Sequence, residues 1–400
     1  MTASGATMDV ELGFAAGKSK PTGTFTSMSQ RAMDYPLDAV TVSGSAIHFV
    51  LGGDMVFDGE WTAREIAGAF KSGEASGTFR LHRADRLPLP YRVEDVAFAN
   101  GPTKLAGTLV EPSGKGPFPA VVLLQGSGPE VRWGTNRFIA DRLARAGVAA
   151  LIFDKRGSGD STGDWKTADY DDLARDALSG VALLEARPEI DAKRIGLHGH
   201  SQGGFVAANA ARLAPPRVAF VVAEDTVVGP VWKQDVYRVR GALARKFPPA
   251  EAAAAMRVYE IFIEVARGNQ PFDALAAAEA AAGNAPWLEW LGLPPRESWL
   301  WAFYAKTGTI DTLTYWRAVR VPVLIVYGEN DALVPVGESI AALESTLDAN
   351  AVTYAALIVP RAEHNLTIHP KAGERFFWWR AAPGYYDTMA AWVKLTASSR

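Results

Sequence analysis

The sequence predicts an α/β fold: a mostly parallel sheet covered by helices, interrupted by a helical insertion and preceded by a small antiparallel β module. Three observations point there. Apolar runs at 120–124, 148–153, 194–198, 218–222, 323–327 and 352–359 are short and continuous, as strands buried on both faces are. Between them, 136–146, 169–186 and 203–213 space Ala, Leu and Ile as helices do. Ahead of them, from about residue 21 to 83, apolar and polar residues alternate in stretches broken by turns.

Taken in order, the N-terminal segment reads as one meander with strands at 39–42, 47–51, 55–60, 65–70 and 77–81, and Ser43-Gly44 marks a hairpin. It carries no grouping of nucleophile, base and acid, so it is expected to be a scaffold. Arg86-Leu87-Pro88-Leu89-Pro90 suits a linker. The expected division is a β module over 1–85, a first α/β part over 86–226, a helical insertion over 227–316 and a second α/β part over 317–400. Asn100-Gly101, between extended stretches at 92–98 and 104–111, is a second hairpin signal. From about 227 the strand pattern stops, and Ala-rich helical text follows at 251–267 and 272–282. Trp287, Trp290, Trp299, Trp301 and Trp316 fall there, beside Phe303 and Tyr304. An insertion of this length between two sheet strands is expected to form a cap. Its aromatic residues are either the cap's own core or the wall of a substrate pocket.

Composition narrows the function classes. Of 400 residues, 48% are hydrophobic and 21% charged, the balance of a soluble globular chain with a sizeable core. Lys and Arg number 41 against 44 Asp and Glu, for a net charge of −3, and no basic block stands out. Neither a nucleic-acid nor a membrane partner is expected. The absence of cysteine removes disulfides, thiolate nucleophiles and Cys-based metal centres together. No apolar run is long enough to span a bilayer. Residues 1–13 lack the basic-then-apolar pattern of a secretion signal, so a soluble, cytoplasmic protein is the default, with a trimmed signal left open. A homo-oligomer is compatible with all of this.

The chemistry concentrates in a few places. Gly199-His200-Ser201-Gln202-Gly203 matches G-x-S-x-G, with strand text running in and helix text running out. A sharp strand-to-helix turn of this kind lifts the Ser201 hydroxyl above the sheet edge and needs small neighbours. The plainer reading is a serine N-cap between glycines. A serine hydroxyl needs a base, and the base needs an orienting acid. Of the six histidines, His48 and His82 lie in the β module, and His198 and His200 flank the serine too closely to turn back on it. His364, just after the last strand, is the expected base, with His369 the competitor. The chain order Ser, acid, His points to Asp331 in Gly328-Glu329-Asn330-Asp331, with Glu329 the competitor and helix capping the plainer role for either. Oxyanion donors are expected from the backbone N–H of Gln202 and of Ser127, in Gln125-Gly126-Ser127-Gly128-Pro129 after the first buried strand. Gly157-Ser158-Gly159-Asp160-Ser161 misses G-x-G-x-x-G and has no G-K-[ST], so it reads as a tight turn rather than a nucleotide site. His198-x-His200 has no further ligand cluster in the sequence, and no metal is expected.

Together these segments resemble a bacterial α/β-hydrolase of the carboxylesterase and serine-aminopeptidase-like branch that carries an N-terminal β module. The resemblance rests on residues 125–129, on Phe153-Asp154-Lys155-Arg156-Gly157 with the turn that follows, on 199–204, on 328–335 and on Glu363-His364. It covers the chain from about residue 91 onward, and more weakly 21–83. Gln125 stands where many relatives have His. The resemblance implies a cofactor-free serine hydrolase acting on short-chain or aryl carboxylic esters through an acyl-enzyme. An aminopeptidase- or acylpeptidase-like amidase is the alternative, since the same triad serves both bonds. A non-catalytic binding protein on this scaffold would be expected to lack a triad member, and Ser201, Asp331 and His364 are all present. Trp287, Trp290, Trp299, Trp301, Phe303 and Tyr304 are the candidate substrate-binding residues.

Overall fold

The structure, a computed structural model, describes residues 1–398 apart from Ser4, Lys18, Arg86, Ala372, Gly373 and 375–377; Arg86 of the expected linker therefore lies outside the described residues. A hairpin opens the α/β unit. β1 (Tyr91–Asn100) and β2 (Thr103–Pro112) pair with Asn100 opposite Thr103, and Gly101 takes the positive φ of 55° that this tight turn requires. β3 (Phe118–Leu124), β4 (Ala149–Phe153), β5 (Ile190–His200), β6 (Val221–Glu224), β7 (Val323–Gly328) and β8 (Tyr354–Val359) follow. The sheet order is β1-β2-β4-β3-β5-β6-β7-β8, antiparallel only through β1, β2 and β4. Every residue of β4 and β7 is buried, which is why these strands read as unbroken apolar runs.

Because β3 lies between β4 and β5, the connections leave it in opposite directions. The crevice at its C-terminal end is the switch point where open α/β sheets bind ligands. The helices that follow these strands are α1 (Thr135–Arg145), α2 (Tyr170–Glu185) and α3 (Gln202–Leu213). Asp169 caps α2, accepting from Asp172 N–H at 2.8 Å while Asp169 N–H donates to the Asp172 carboxylate at 3.2 Å. Between β6 and β7 the chain runs through α4 (Val231–Lys246), α5 (Pro249–Ala266), α6 (Phe272–Ala282), α7 (Pro286–Leu291), α8 (Leu300–Thr307) and α9 (Leu313–Trp316). α10 (Val336–Ala349) and α11 (Tyr385–Ser398) complete the unit.

Three cores result. One face of the sheet packs Leu109, Val122, Leu151 and Leu197 on α2 and α3, and the other packs Val121, Leu123, Ile152 and Val222 on α1 and α11. The insertion has its own core, built on Val239, Leu243, Tyr259, Phe262, Leu275 and Trp287. Trp316 is not part of it: it is fully buried in the sheet's core, so α9 already belongs to the α/β unit by packing.

The β module is larger than one meander. Its seven-stranded sheet holds the five expected strands, seen at Ala39–Ser43, Ala46–Leu51, Met55–Trp61, Glu65–Ser72 and Ala75–His82, and adds Thr2–Ala3 and Ala6–Thr7 at the far edge. A second sheet of Glu11–Ala15, Thr22–Ser27 and Ala32–Pro36 lies against it. Glu11–Ala15 is almost wholly exposed, so burial imposes no alternation there for a sequence reading to find. Phe49, Phe57, Phe70 and Phe79 form the shared core, with Phe49 and Phe57 stacked at 4.5 Å.

This module is fastened to the α/β unit by the last strand of that second sheet, Ala32–Pro36, and the residue before it. Met33 and Gly134 exchange backbone hydrogen bonds at 3.3 and 3.0 Å, and Arg137 lies 3.2 Å from Asp34. Arg31, in the left-handed region at φ 53°, sends a buried guanidinium to the Tyr386 hydroxyl at 2.5 Å and to within 3.9 Å of the Glu224 carboxylate. Removing one member of a buried charge pair leaves the other uncompensated. Arg31→Met is therefore expected to lower unfolding stability by about 3–5 kcal/mol. Arg80→Met, which breaks an exposed pair with Glu65, should change it by less than about 1 kcal/mol. Urea unfolding of the two variants and the parent measures both.

Candidate active site

β5 runs into α3 through Ser201, which sits at φ 52° and ψ −114°. Two close approaches force this turn. A Cβ on Gly199 would lie 2.0 Å from the Gly203 carbonyl oxygen, and one on Gly203 would lie 2.5 Å from that of Leu124. The Ser201 N–H donates to the Glu224 carbonyl at 2.7 Å, and the Ser201 carbonyl accepts from Gly204 N–H at 3.1 Å. Although Ser201 stands at the N-cap position of α3, its side chain makes no capping bond, so the plainer reading of this serine does not hold. Its hydroxyl is left at the sheet edge, partly exposed.

The loops after β7 and β8 run side by side, joined by Glu329 N–H to the Val359 carbonyl at 3.0 Å and Asn330 N–H to the Ala362 carbonyl at 2.8 Å. This brings His364 Nδ1 to 2.8 Å from Asp331 Oδ2. The other oxygen of Asp331 accepts from the N–H groups of Leu333 and Val334 at 2.7 and 3.1 Å, which fixes the carboxylate. The competitors go elsewhere. Glu329 accepts from Arg361 N–H at 2.7 Å, and His369 is exposed, 3.5 Å from Glu363.

The remaining candidates divide. Gln202 opens α3, so its N–H has no acceptor within the helix; its side chain turns inward and accepts from Lys155 Nζ at 2.6 Å. Ser127 is exposed in the loop after β3, and the preceding Gly126 lies against the elbow: a Cβ there would sit 3.7 Å from Ser201 Cβ. Gln125 donates from its side chain to the Phe153 carbonyl, tying this loop to the end of β4. The turn after β4 is built on ion pairs, Arg132 with Asp154 and Arg156 with Asp176, in keeping with its reading as a tight turn.

The aromatic residues of the insertion do not act together. Trp287 is buried in the insertion's own core, and Trp290, Trp301 and Tyr304 pack against it. Trp301 donates to the Pro295 carbonyl at 2.8 Å, and the Tyr304 hydroxyl donates to Asp235 at 3.1 Å. Trp299 and Phe303 instead meet Trp165 of the β4–α2 loop edge-on, at 5.4 and 6.2 Å. Packing in the insertion's own core accounts for the first four, and Trp299 and Phe303 look outward from that core.

Behind the serine lies a group of charges that periodicity did not single out. Glu224, at the end of β6, is buried, with the Tyr385 hydroxyl donating to it at 2.8 Å, His198 at 3.2 Å and His200 at 3.4 Å. Burial alone would raise the Glu224 carboxyl, but the two histidines hold it well below the ordinary carboxylate range. Likewise burial would lower His200, and Glu224 outweighs it to favour the imidazolium. Asp225 is pushed well up by burial and by the charges of Asp331 and Glu224, so its neutral form is favoured. The available signal was position: Glu224-Asp225 closes a buried strand at the sheet's C-terminal edge, two residues past where the apolar run stops.

Two trios among the described residues could hold an ion, His200, Glu224 and Asp225, or Asp225, Asp331 and His364, their ligand atoms lying within 4.8 Å of one another. In each, principal donor atoms already bond within the protein, Glu224 to Tyr385 and Asp331 to His364.

His364 itself is lowered, first by burial and then by the neighbouring His200, whose ring centroid is 5.0 Å away, with Asp331 opposing both. The imidazole is therefore expected to titrate below the ordinary 6.5 and to be neutral at pH 7. A ¹⁵N NMR titration checks this; a midpoint above 6.5 would mean that Asp331 dominates.

Residues 116–370 match the family described as serine aminopeptidase, S33. Esterase EstD of Thermotoga maritima is 27% identical over 182 residues, covering 39% of this chain and 43% of its own length. Quorum-quenching protein AidA of Acinetobacter baumannii is 31% identical over 139 residues, 34% and 44% respectively. The chain thus spans under half the length of these curated relatives. The solved structure of DcsB in complex with its substrate analogue superposes with a TM-score of 0.51 at 20% identity, over 77% of this chain and 99% of that one, a likeness of fold alone. The family match takes in β3, the elbow at Ser201 and the loops bearing Asp331 and His364, and on that extent the chain belongs to the serine aminopeptidase, S33 family of α/β hydrolases.

Proposed function

We propose that the chain is a serine hydrolase that cleaves carboxylic esters through an acyl-enzyme at Ser201. One observation carries the reading: His364, oriented by Asp331 at 2.8 Å, belongs to the same sheet edge as a serine held in a strained turn that offers no capping role. Ser201 Oγ attacks the acyl carbonyl while His364 Nε2 takes its proton. The oxyanion is met by the N–H groups of Ser127 and Gln202. His364 returns the proton to the leaving alcohol, and a water that it activates then releases the acid. No cofactor enters these steps.

Esters are preferred over amides on the grounds of the relative named as an esterase and of the outward aromatic surface. Trp165, Trp299 and Phe303 form that surface, suited to an aryl or compact acyl group. A specific feature favours the amidase reading: the Glu130 carboxylate lies over Gly126, where a Cβ would come within 2.9 Å of it, close enough to the oxyanion loop to meet a substrate ammonium.

Ser201→Ala is expected to lower kcat by about 10⁶ with the fold intact. Asp331→Asn should cost about 10⁴, and Glu329→Gln should leave kcat near the parent value. Steady-state kinetics on aryl esters of increasing acyl length and on aminoacyl anilides check the specificity. The expected result is faster ester turnover peaking at short chains, unchanged by Glu130→Gln. Faster anilide turnover that collapses in Glu130→Gln would move the protein to the amidase reading.

A further inference from the structure

Lys155 follows β4 and is 4% exposed, yet among the described residues its ammonium meets no carboxylate at hydrogen-bond distance. It donates instead to the Gly126 carbonyl and to Gln202 Oε1, both at 2.6 Å. Burial of this kind disfavours the cation and lowers its pKa to about 8. Such a group is costly to bury, and its two acceptors belong to the two segments that supply the proposed oxyanion donors.

The geometry of a peptide makes the first of these bonds informative. In a trans peptide the carbonyl of residue 126 and the N–H of residue 127 point to opposite sides of one plane. Holding the Gly126 oxygen toward Lys155 therefore turns the Ser127 N–H the other way. A flip of this peptide turns ψ of Gly126, where no side chain resists it, together with φ of Ser127. A flipped peptide would present an oxygen to the oxyanion in place of a donor. The main chain of Lys155 closes the loop from its other end, donating to the Glu130 carbonyl at 3.0 Å.

We propose that Lys155 is the positioning residue of the oxyanion site, fixing the Gly126–Ser127 peptide and the start of α3 so that the N–H groups of Ser127 and Gln202 face the same developing charge. This rests on the acyl-transfer reading of Ser201. A neutral amine still has two donors, so the hold persists on either side of the lysine's titration.

The test uses the full chain with p-nitrophenyl acetate. Lys155→Met is expected to lower kcat by about 10²-fold or more while KM stays within about threefold, the cost of a lost oxyanion donor. A trifluoromethyl ketone, which becomes a tetrahedral adduct, should lose affinity by a similar factor. The matching methyl ketone, which stays trigonal, should bind as it does to the parent. Near-parent kcat, or equal losses for both ketones, would overturn the proposal. Should Lys155→Met lose the parent's thermal midpoint, Lys155→Gln, too short to span both acceptors, is read by the same criteria. Ser201→Ala separates the two failures: an active Ser201→Ala sinks the acyl-transfer reading itself, whereas an inactive one beside a parent-like Lys155→Met sinks the positioning role alone.

Discussion

Glu224 is an anion with almost no access to water, and an isolated carboxylate in that position would cost several kcal/mol. Its surroundings are arranged to offset that cost, and in doing so they connect parts of the chain that are far apart in sequence. The Tyr385 hydroxyl comes from α11, His198 and His200 from β5, and the Arg31 guanidinium from the β module. Its own carbonyl accepts from the N–H of Ser201, so the strained turn hangs on the same residue. The β module is thus more than a covering for apolar surface. It delivers one of the charges that make the buried carboxylate tolerable.

From that carboxylate a sequence of charges leads to His364, the proposed base. Glu224 favours the imidazolium of His200, which lies ring to ring with His364 and disfavours a second positive charge there. Burial and the charges of Asp331 and Glu224 push the Asp225 carboxyl up, and it accepts from Gly328 N–H at 2.9 Å, steadying the end of β7 from which the Asp331 loop departs. The proposed oxyanion side is arranged by a different means, hydrogen bonds from a buried lysine and from Gln125 that hold a glycine-rich loop against β4. Charge tunes one half of the site and peptide orientation the other.

Much of this was legible in the sequence where burial writes a pattern. The strands buried on both faces announced themselves as apolar runs, and the hairpin at Gly101 by its turn residues. Ser201, Asp331 and His364 could be singled out because the order along the chain and the strand ends constrain them. What could not be read had no such pattern. Glu11–Ala15 is exposed and so shows no alternation. Glu224, Asp225 and Lys155 are polar residues in buried places, and a sequence gives no sign of which partners will compensate them. The aromatic residues of the insertion look alike in sequence, but Trp287 closes a helical core while Trp299 reaches Trp165. Only the packing separates these roles.

Under the proposed function, Ser201 is an acylatable nucleophile activated by His364. Labelling the protein with a fluorophosphonate and mapping the adduct by peptide mass spectrometry tests it most directly. A single adduct on Ser201 is expected, time-dependent, absent from Ser201→Ala and slowed severely in His364→Ala. An unlabelled Ser201 in the folded protein, or an adduct on another serine with hydrolysis lost in step, would contradict it.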